Sequence, residues 1–214
     1  MTSDSRRATV QAAAPSGNGR PDRREDLLTA AARRFVAVGI RKTTMEDIAR
    51  EATAGKATLY RHFGNKDAVI DALLAREAQR FTRVLERAAA DLPDAGAKVE
   101  AAFLAGVGFF LEHPVLTKGR DEEPGILLPR ITANGGPVVS QGLALFTGLI
   151  ADGVAAGEFR RVDPPAAAEV VMRLILSYFS FPPMHVRVDD PVEAQAFAHG
   201  LVAGALRART GSSV

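Results

Sequence analysis

From residue 22 onward, large apolar side chains recur at intervals of three and four, and no apolar–polar alternation is bounded by hairpin turns. That periodicity puts one apolar stripe on each of a series of helices and leaves a sheet without its faces. The chain is therefore expected to be all-α. Leu27, Leu28, Ala31, Phe35 and Val38 make the first stripe, opened by a capping arrangement of Asp22 with Glu25 and closed by Gly39. Thr44 caps a second helix carrying Met45, Ile48, Ala49 and Ala52, with Asp47 in its first turn. A short third helix covers 56–62, and a fourth opens near Asn65 and runs toward Ala90. Further helices are predicted over 97–113, 122–133, 137–157, 164–181 and 191–209, about nine in all. Three of these start on proline, which the first helical turn tolerates.

With 47% hydrophobic and 24% charged residues, the 214-residue chain has the composition of a soluble globular protein. Every apolar run is interrupted by Arg, Asp or Pro before the ~18–20 residues of a membrane span, so no membrane partner is expected. Arg6-Arg7 is not followed by an apolar segment as in a secretory signal. Together with the absence of cysteine, this points to the cytoplasm. Four histidines without cysteine make no recognisable metal set, so neither a metal nor a cofactor is expected. G-x-S-x-G, H-E-x-x-H and a phosphate-cradling glycine loop are all missing, which argues against an enzyme.

Charge is distributed unevenly. Residues 1–66 hold 13 Lys/Arg against 7 Asp/Glu, while the remainder holds 14 against 18. A basic end on a mildly acidic body suits a polyanion contact, although a solvated charged face reads the same way. Residues 1–20, rich in Ala, Ser, Gly and Arg, are expected to form a disordered basic arm. A unit over 21–67 and a larger one over 68–214 follow.

The unit over 21–67 carries the chemistry. Ala49 is small where two helices would touch, Leu59 follows ten residues later, and Ile48 and Phe63 complete the lock. Lys56, Thr58, Tyr60, Arg61 and His62 then project from the second helix or its end, residue types suited to phosphates and base edges. Such a helix-turn-helix lets its second helix enter a major groove. An all-α carrier of apolar ligands, the reading from another class, leaves this basic unit without a use.

The runs T-T-M-E-D-I-A-R-E-A (43–52) and K-A-T-L-Y-R-H-F-G-N-K-D-A-V (56–69) resemble the N-terminal domain of the TetR family of bacterial transcriptional regulators. The likeness covers about residues 25–74, with T-L-Y-R-H-F-x-x-K at 58–66 as its strongest element. It implies an N-terminal helix-turn-helix domain and a helical C-terminal body for ligand binding and dimerisation. It implies a homodimer on a double-stranded DNA operator, acting as repressor or activator and answering to a small-molecule effector. Thr44 and Lys66 would meet phosphates, Lys56, Ala57 and Thr58 would face the groove, and Tyr60 and His62 would contact backbone or bases. Thr43, Gly55 and Arg61 complete the expected DNA-facing set. The family's corner residue is Gly where Thr53 stands, so an intact but slightly strained turn is expected.

In the body, Phe103, Val107, Phe110, Leu127, Phe146, Leu149, Ile150 and Met172 are the candidate lining of an effector pocket. Their character suggests an apolar or amphipathic ligand. Leu174 and Tyr178, with the small-residue stripe Ala196, Gly200 and Gly204, are the candidate dimer contacts.

Overall fold

The computed structural model describes residues 23–132, 136–181, 184–188 and 190–207, without the side chain of Ala203. The expected arm over 1–20, the Asp22 cap and the last residues of the final expected helix lie outside them. Ten helices and no strands are present among the described residues: α1 Arg23–Val38, α2 Met45–Glu51, α3 Lys56–Phe63, α4 Lys66–Ala89, α5 Ala95–Glu112, α6 Pro114–Glu122, α7 Pro124–Thr132, α8 Pro137–Ala155, α9 Pro164–Ser180 and α10 Pro191–Ala205.

The all-α expectation holds, with one helix more than expected. Helix α5 ends at Glu112 because Pro114 follows: proline lacks an N–H and pushes the preceding residue out of helical geometry. His113 closes α5 and caps α6, and the two helices bend by 61°. Asp94 caps α5 two residues earlier than expected, its carboxylate accepting from the Ala97 N–H at 2.8 Å.

Helix α4, the longest, joins two packed groups. Its first turns bury Val69, Ile70, Leu73 and Leu74 among α1 and α3, while Phe81 and Leu85 lie in the body. The body is a bundle in which α4, α5, α8 and α9 pack together and α10 lies on α5. One buried cluster runs through both groups, from Leu27 to Leu206. A division at residue 67 therefore falls at the start of a helix that both groups share. Close packing relies on missing side chains: a Cβ on Gly142 of α8 would sit 2.6 Å from the Met172 sulfur of α9.

One stretch, Pro124–Ala155, is apolar and long enough to cross a membrane, contrary to the sequence expectation, and it passes over undescribed residues 133–135. Its own contacts explain the composition. Val138, Phe146 and Ile150 are buried in the bundle, and Arg130 is ion-paired to Asp67 and Asp71 of α4 at 2.6 and 3.2 Å.

The expected pocket lining is mostly solid core. Val107, Phe110, Leu127, Phe146 and Ile150 are at most 2% exposed and line neither the cavity between α5, α9 and α10 nor that between α7, α8 and α9, nor does half-buried Leu149. Ring stacking fills the space: Phe110 packs on Phe81 at 5.4 Å and on Phe179 at 5.0 Å between centroids. Voids occur elsewhere. A cavity of about 150 Å³ lies between α5, α9 and α10, lined by Phe103, Val171, Leu174, Leu201, Val202 and Leu206. A more open one of about 480 Å³ lies between the end of α7, α8 and α9 and includes Met172.

The dimer candidates divide. Ala196, Gly200 and Gly204 are exposed, and Cβ atoms on either glycine would meet nothing within 4 Å. Leu174 and Tyr178 are half-buried instead. Leu174 lines the smaller cavity, and Tyr178 packs edge-on against Phe103 and Phe197. The exposed large apolar residue of α9 is Val170, at 56%, and it borders the same cavity as Leu174.

Candidate nucleic-acid interface

Helices α1–α3 form the head, and local chemistry fixes their ends. Thr44 and Asp47 make a reciprocal capping box at α2: the hydroxyl accepts from the Asp47 N–H, and the carboxylate accepts from the Thr44 N–H, both at 3.1 Å. The Thr44 hydroxyl also donates to Asp47 at 2.7 Å, and these bonds hold the Asp47 carboxyl below its usual range. Such a box stabilises a helix start by about 1 kcal/mol.

Between α2 and α3 the chain turns on Ala52, Thr53 and Ala54. The Ala54 N–H donates to the Ala49 carbonyl at 2.8 Å, which requires Thr53 to take the left-handed region at φ 48°. The strain expected for a β-branched corner is therefore present and local. Arg23 of α1 donates to the Thr53 carbonyl at 3.0 Å, tying the turn to the rest of the head. Gly55 caps α3 through its backbone alone. Replacing Thr53 by Gly is expected to add roughly 1 kcal/mol of stability with the fold unchanged, read from denaturant midpoints. A loss would show that the Thr53 side chain contributes more than its backbone costs.

Leu59 and Phe63 anchor α3 against Ile48, Ala49 and Met45, all buried. Burying each large side chain is worth roughly 1.5–3 kcal/mol, enough to set the angle of so short a helix. The guanidinium of Arg24 lies 5.4 Å over the Phe63 ring. Gly64, at φ 74°, ends α3, and Asn65 caps α4 by accepting from the Ala68 N–H at 2.9 Å.

What this scaffold presents outward is the face Gly55, Lys56, Ala57, Tyr60, Arg61 and His62, all exposed, with Thr58 half-buried beside them. Lys56 lies 5.6 Å over the Tyr60 ring and is ion-paired to Glu46 of α2. The hydrogen bond between them holds the Glu46 carboxyl below its usual range and raises the Lys56 ammonium. Lys56 thus keeps its charge on the outer face, steadied by a neighbour the sequence reading passed over. Arg41 and Lys42, in the loop before α2, are exposed as well. Their adjacency to Thr44 was the available signal for adding them.

Two expected DNA contacts are turned to other work. Thr43 is fully buried, its hydroxyl donating to the Gly39 carbonyl at 2.7 Å. Lys66 directs its ammonium at the carbonyls of Ile40, Arg41 and Thr43, at 2.9, 3.2 and 3.0 Å, and so spends all three donors on the α1–α2 loop. Thr44 stays exposed, with its hydroxyl hydrogen on Asp47.

Comparison with known proteins follows the same division into head and body. Residues 27–73 match the family model of bacterial regulatory proteins, tetR family. The uncharacterised HTH-type transcriptional regulator YhgD of Bacillus subtilis is 25% identical over 169 residues, 78% of this chain and 88% of that protein. The HTH-type transcriptional repressor KstR2 of Rhodococcus jostii is 40% identical over 57 residues, 27% of this chain and 28% of that one. Among solved structures, a TetR/AcrR-family regulator from Thermobifida fusca superposes with a TM-score of 0.63 at 20% identity, covering 86% of this chain and 98% of its own. The TetR-family repressor AlkX from Dietzia superposes at 0.61 and 20% identity, covering 87% and 96%. At such identities the structures speak for the fold, while the head speaks through its sequence. The head is thus similar in sequence to the DNA-binding domain of the tetR family of bacterial regulatory proteins, and the chain shares the fold of solved TetR-family regulators along most of its length.

Proposed function

We propose that this protein is a repressor that grips a palindromic operator as a homodimer and releases it when a small apolar or amphipathic molecule enters the body. The outward face of α3 carries the reading. A helix locked from behind by Leu59 and Phe63 presents cations, hydrogen-bonding groups and a small Ala57 to solvent, as entry into a major groove requires. Repression is favoured by the likeness of the head to KstR2, which is named a repressor. AlkX, also named a repressor, is implicated in biodegradation of n-alkanes, and its fold matches along most of the chain. The place of action is the bacterial cytoplasm, where the DNA lies.

The cavity between α5, α9 and α10 is the candidate effector site. Its walls are apolar apart from Arg160, and a space of this size accommodates about one benzene-sized molecule. Larger effectors require the body to open, and any effector shifts the equilibrium only by its preference between two states.

Two-fold operators call for two-fold proteins, and the unpartnered faces of α9 and α10 offer the contact. Gly200→Arg places a long charged side chain on the small-residue stripe, where the single chain has open space. The variant is expected to stay folded and sediment as a monomer where the wild type sediments as a dimer. A dimeric Gly200→Arg protein would move the interface elsewhere.

Selection from a random duplex library with purified protein tests the whole reading. Enrichment of a palindrome, bound with a steep salt dependence, supports it. Salt-dependent binding without sequence preference would reject it. Repression of a reporter placed behind the enriched palindrome, relieved by an apolar effector, is the expected second result, and activation would overturn the direction of control.

A further inference from the structure

Away from the reading face, the loop that joins α1 to α2 is held by a side chain of the body. Glu123 stands at the junction of α6 and α7, where its N–H donates to the Gly119 carbonyl and its own carbonyl accepts from the Ile126 N–H at 2.9 Å. Its carboxylate crosses to the head. One oxygen accepts from the Ile40 N–H at 2.6 Å and the other from the Arg41 N–H at 2.9 Å. These are charge-assisted bonds to consecutive backbone groups more than 80 residues away in the chain. The same loop is held on its carbonyl side by Lys66, at the start of α4. Gly39 keeps the approach open, because a Cβ there would sit 3.3 Å from the carboxylate.

A side-chain carboxylate bonded to two backbone N–H groups is a poor detail for reading sequence and a good one for fixing position. The body grips the head by main-chain atoms, so the grip does not depend on which side chains the loop carries. Its neighbours reinforce the same seam: Arg130, two turns further along α7, holds Asp67 and Asp71 on α4. Helix α4 and the α1–α2 loop are thereby both fastened to the α6–α7 segment.

We propose that Glu123 is a positioning residue for DNA recognition: it fixes the head on the body and so sets the half-site spacing that a dimer accepts. The proposal rests on the dimeric DNA-binding reading above. Each base pair added between half-sites moves them about 3.4 Å apart and turns them by roughly 35°. A firmly held pair of heads rejects that change, and loosely held heads follow it.

The experiment takes the palindrome enriched by the wild-type protein and versions with one or two base pairs added or removed at its centre. It also takes a single half-site as a separate duplex. Wild-type protein is expected to lose about 100-fold in affinity on mis-spaced duplexes, and Glu123→Ala only about tenfold, with half-site affinity unchanged. Glu123→Gln, which keeps an acceptor and adds no void, falls between the two and serves if the Ala variant does not fold. Amide exchange at Ile40 and Arg41 is expected to rise at least about tenfold in Glu123→Ala. A merely stabilising residue would change the melting temperature and leave the spacing ratio alone. An unchanged spacing ratio, or unchanged exchange at those two amides, overturns the proposal. A wild-type protein that enriches no palindrome overturns the DNA reading and this role of Glu123 with it, whereas wild-type selection with a Glu123→Ala protein of equal spacing preference overturns the role alone.

Discussion

Replacing Glu77 by Ala is expected to remove roughly 3–5 kcal/mol of folding stability at neutral pH. The Glu77 side chain is 1% exposed on α4, at the meeting of α1, α4 and the α5–α6 bend. Arg76 reaches one oxygen at 2.8 Å, and His113 and Arg80 lie 3.0 and 3.3 Å from the other. The His113 ring accepts from the Leu116 N–H on its Nδ1, so its Nε2 is the side that donates to Glu77. Arg76 continues the network to Glu25 and Thr29 of α1, at 2.8 and 3.0 Å. Truncating Glu77 strips the buried end of Arg76 and the His113 ring of their shared acceptor.

The pH dependence gives an independent measure of the same network. Burial acts to raise the Glu77 pKa, but the hydrogen bonds from His113 and Arg76 and the charge of Arg76 outweigh it and bring it down to about 2. From an ordinary value of 4.5, the difference corresponds to roughly 3 kcal/mol, comparable with the truncation figure. Because the folded-state value is depressed, this stabilisation is fully present above pH 4.5 and disappears as pH falls toward 2. Denaturant titrations at pH 7 and pH 3 should show the gap between wild type and Glu77→Ala shrinking to less than half. A gap that stays constant between those pH values would mean that the ionised carboxylate is not what holds the seam.

Much of the head was legible because its determinants are local. Thr44 with Asp47, Gly39 and Asn65 act on neighbours within four residues, and each stands where its type predicts. The strained turn at Thr53 was expected from the resemblance, because the family has Gly at that corner, and Thr53 does take the left-handed region. Side chains acting over distance were misread. Lys66 looked like a phosphate ligand by its place in the motif, yet the loop carbonyls it binds are 23 to 26 residues away. Glu123 gave no signal, since one acidic residue after two others on a polar stretch looks solvated. In the body, periodicity identified buried residues such as Phe110 and Phe146 but could not tell a filled core from a lined cavity. Whether a void remains depends on ring orientations that no spacing rule encodes. For the same reason the apolar face of α9 did not reveal that Val170 and Leu174 border a cavity while Tyr178 packs on Phe103 and Phe197.

Ala57→Glu is expected to lower affinity for the enriched palindrome by about 100-fold or more while leaving the protein at least as stable. Ala57 is the second residue of α3 and exposed in the middle of the outward face. A carboxylate in the first turn interacts favourably with the helix dipole, by about 0.3–1 kcal/mol, so the fold has no reason to suffer. It also stands four residues before Arg61, close enough to draw that guanidinium into an i,i+4 pair. Against DNA both consequences reverse. The carboxylate meets the phosphates' negative field, and Arg61 is withdrawn from it. Like charges brought together at an interface cost several kcal/mol, each 1.4 of which is a factor of ten in affinity. Ala57→Gln has nearly the same shape without the charge and is expected to lose much less. Equilibrium binding at fixed ionic strength, run beside thermal melts of both variants, separates the outcomes. Full affinity in a folded Ala57→Glu protein would mean that α3 does not face the groove, since no relaxation of an exposed helix start could hide a carboxylate from the phosphates beside it.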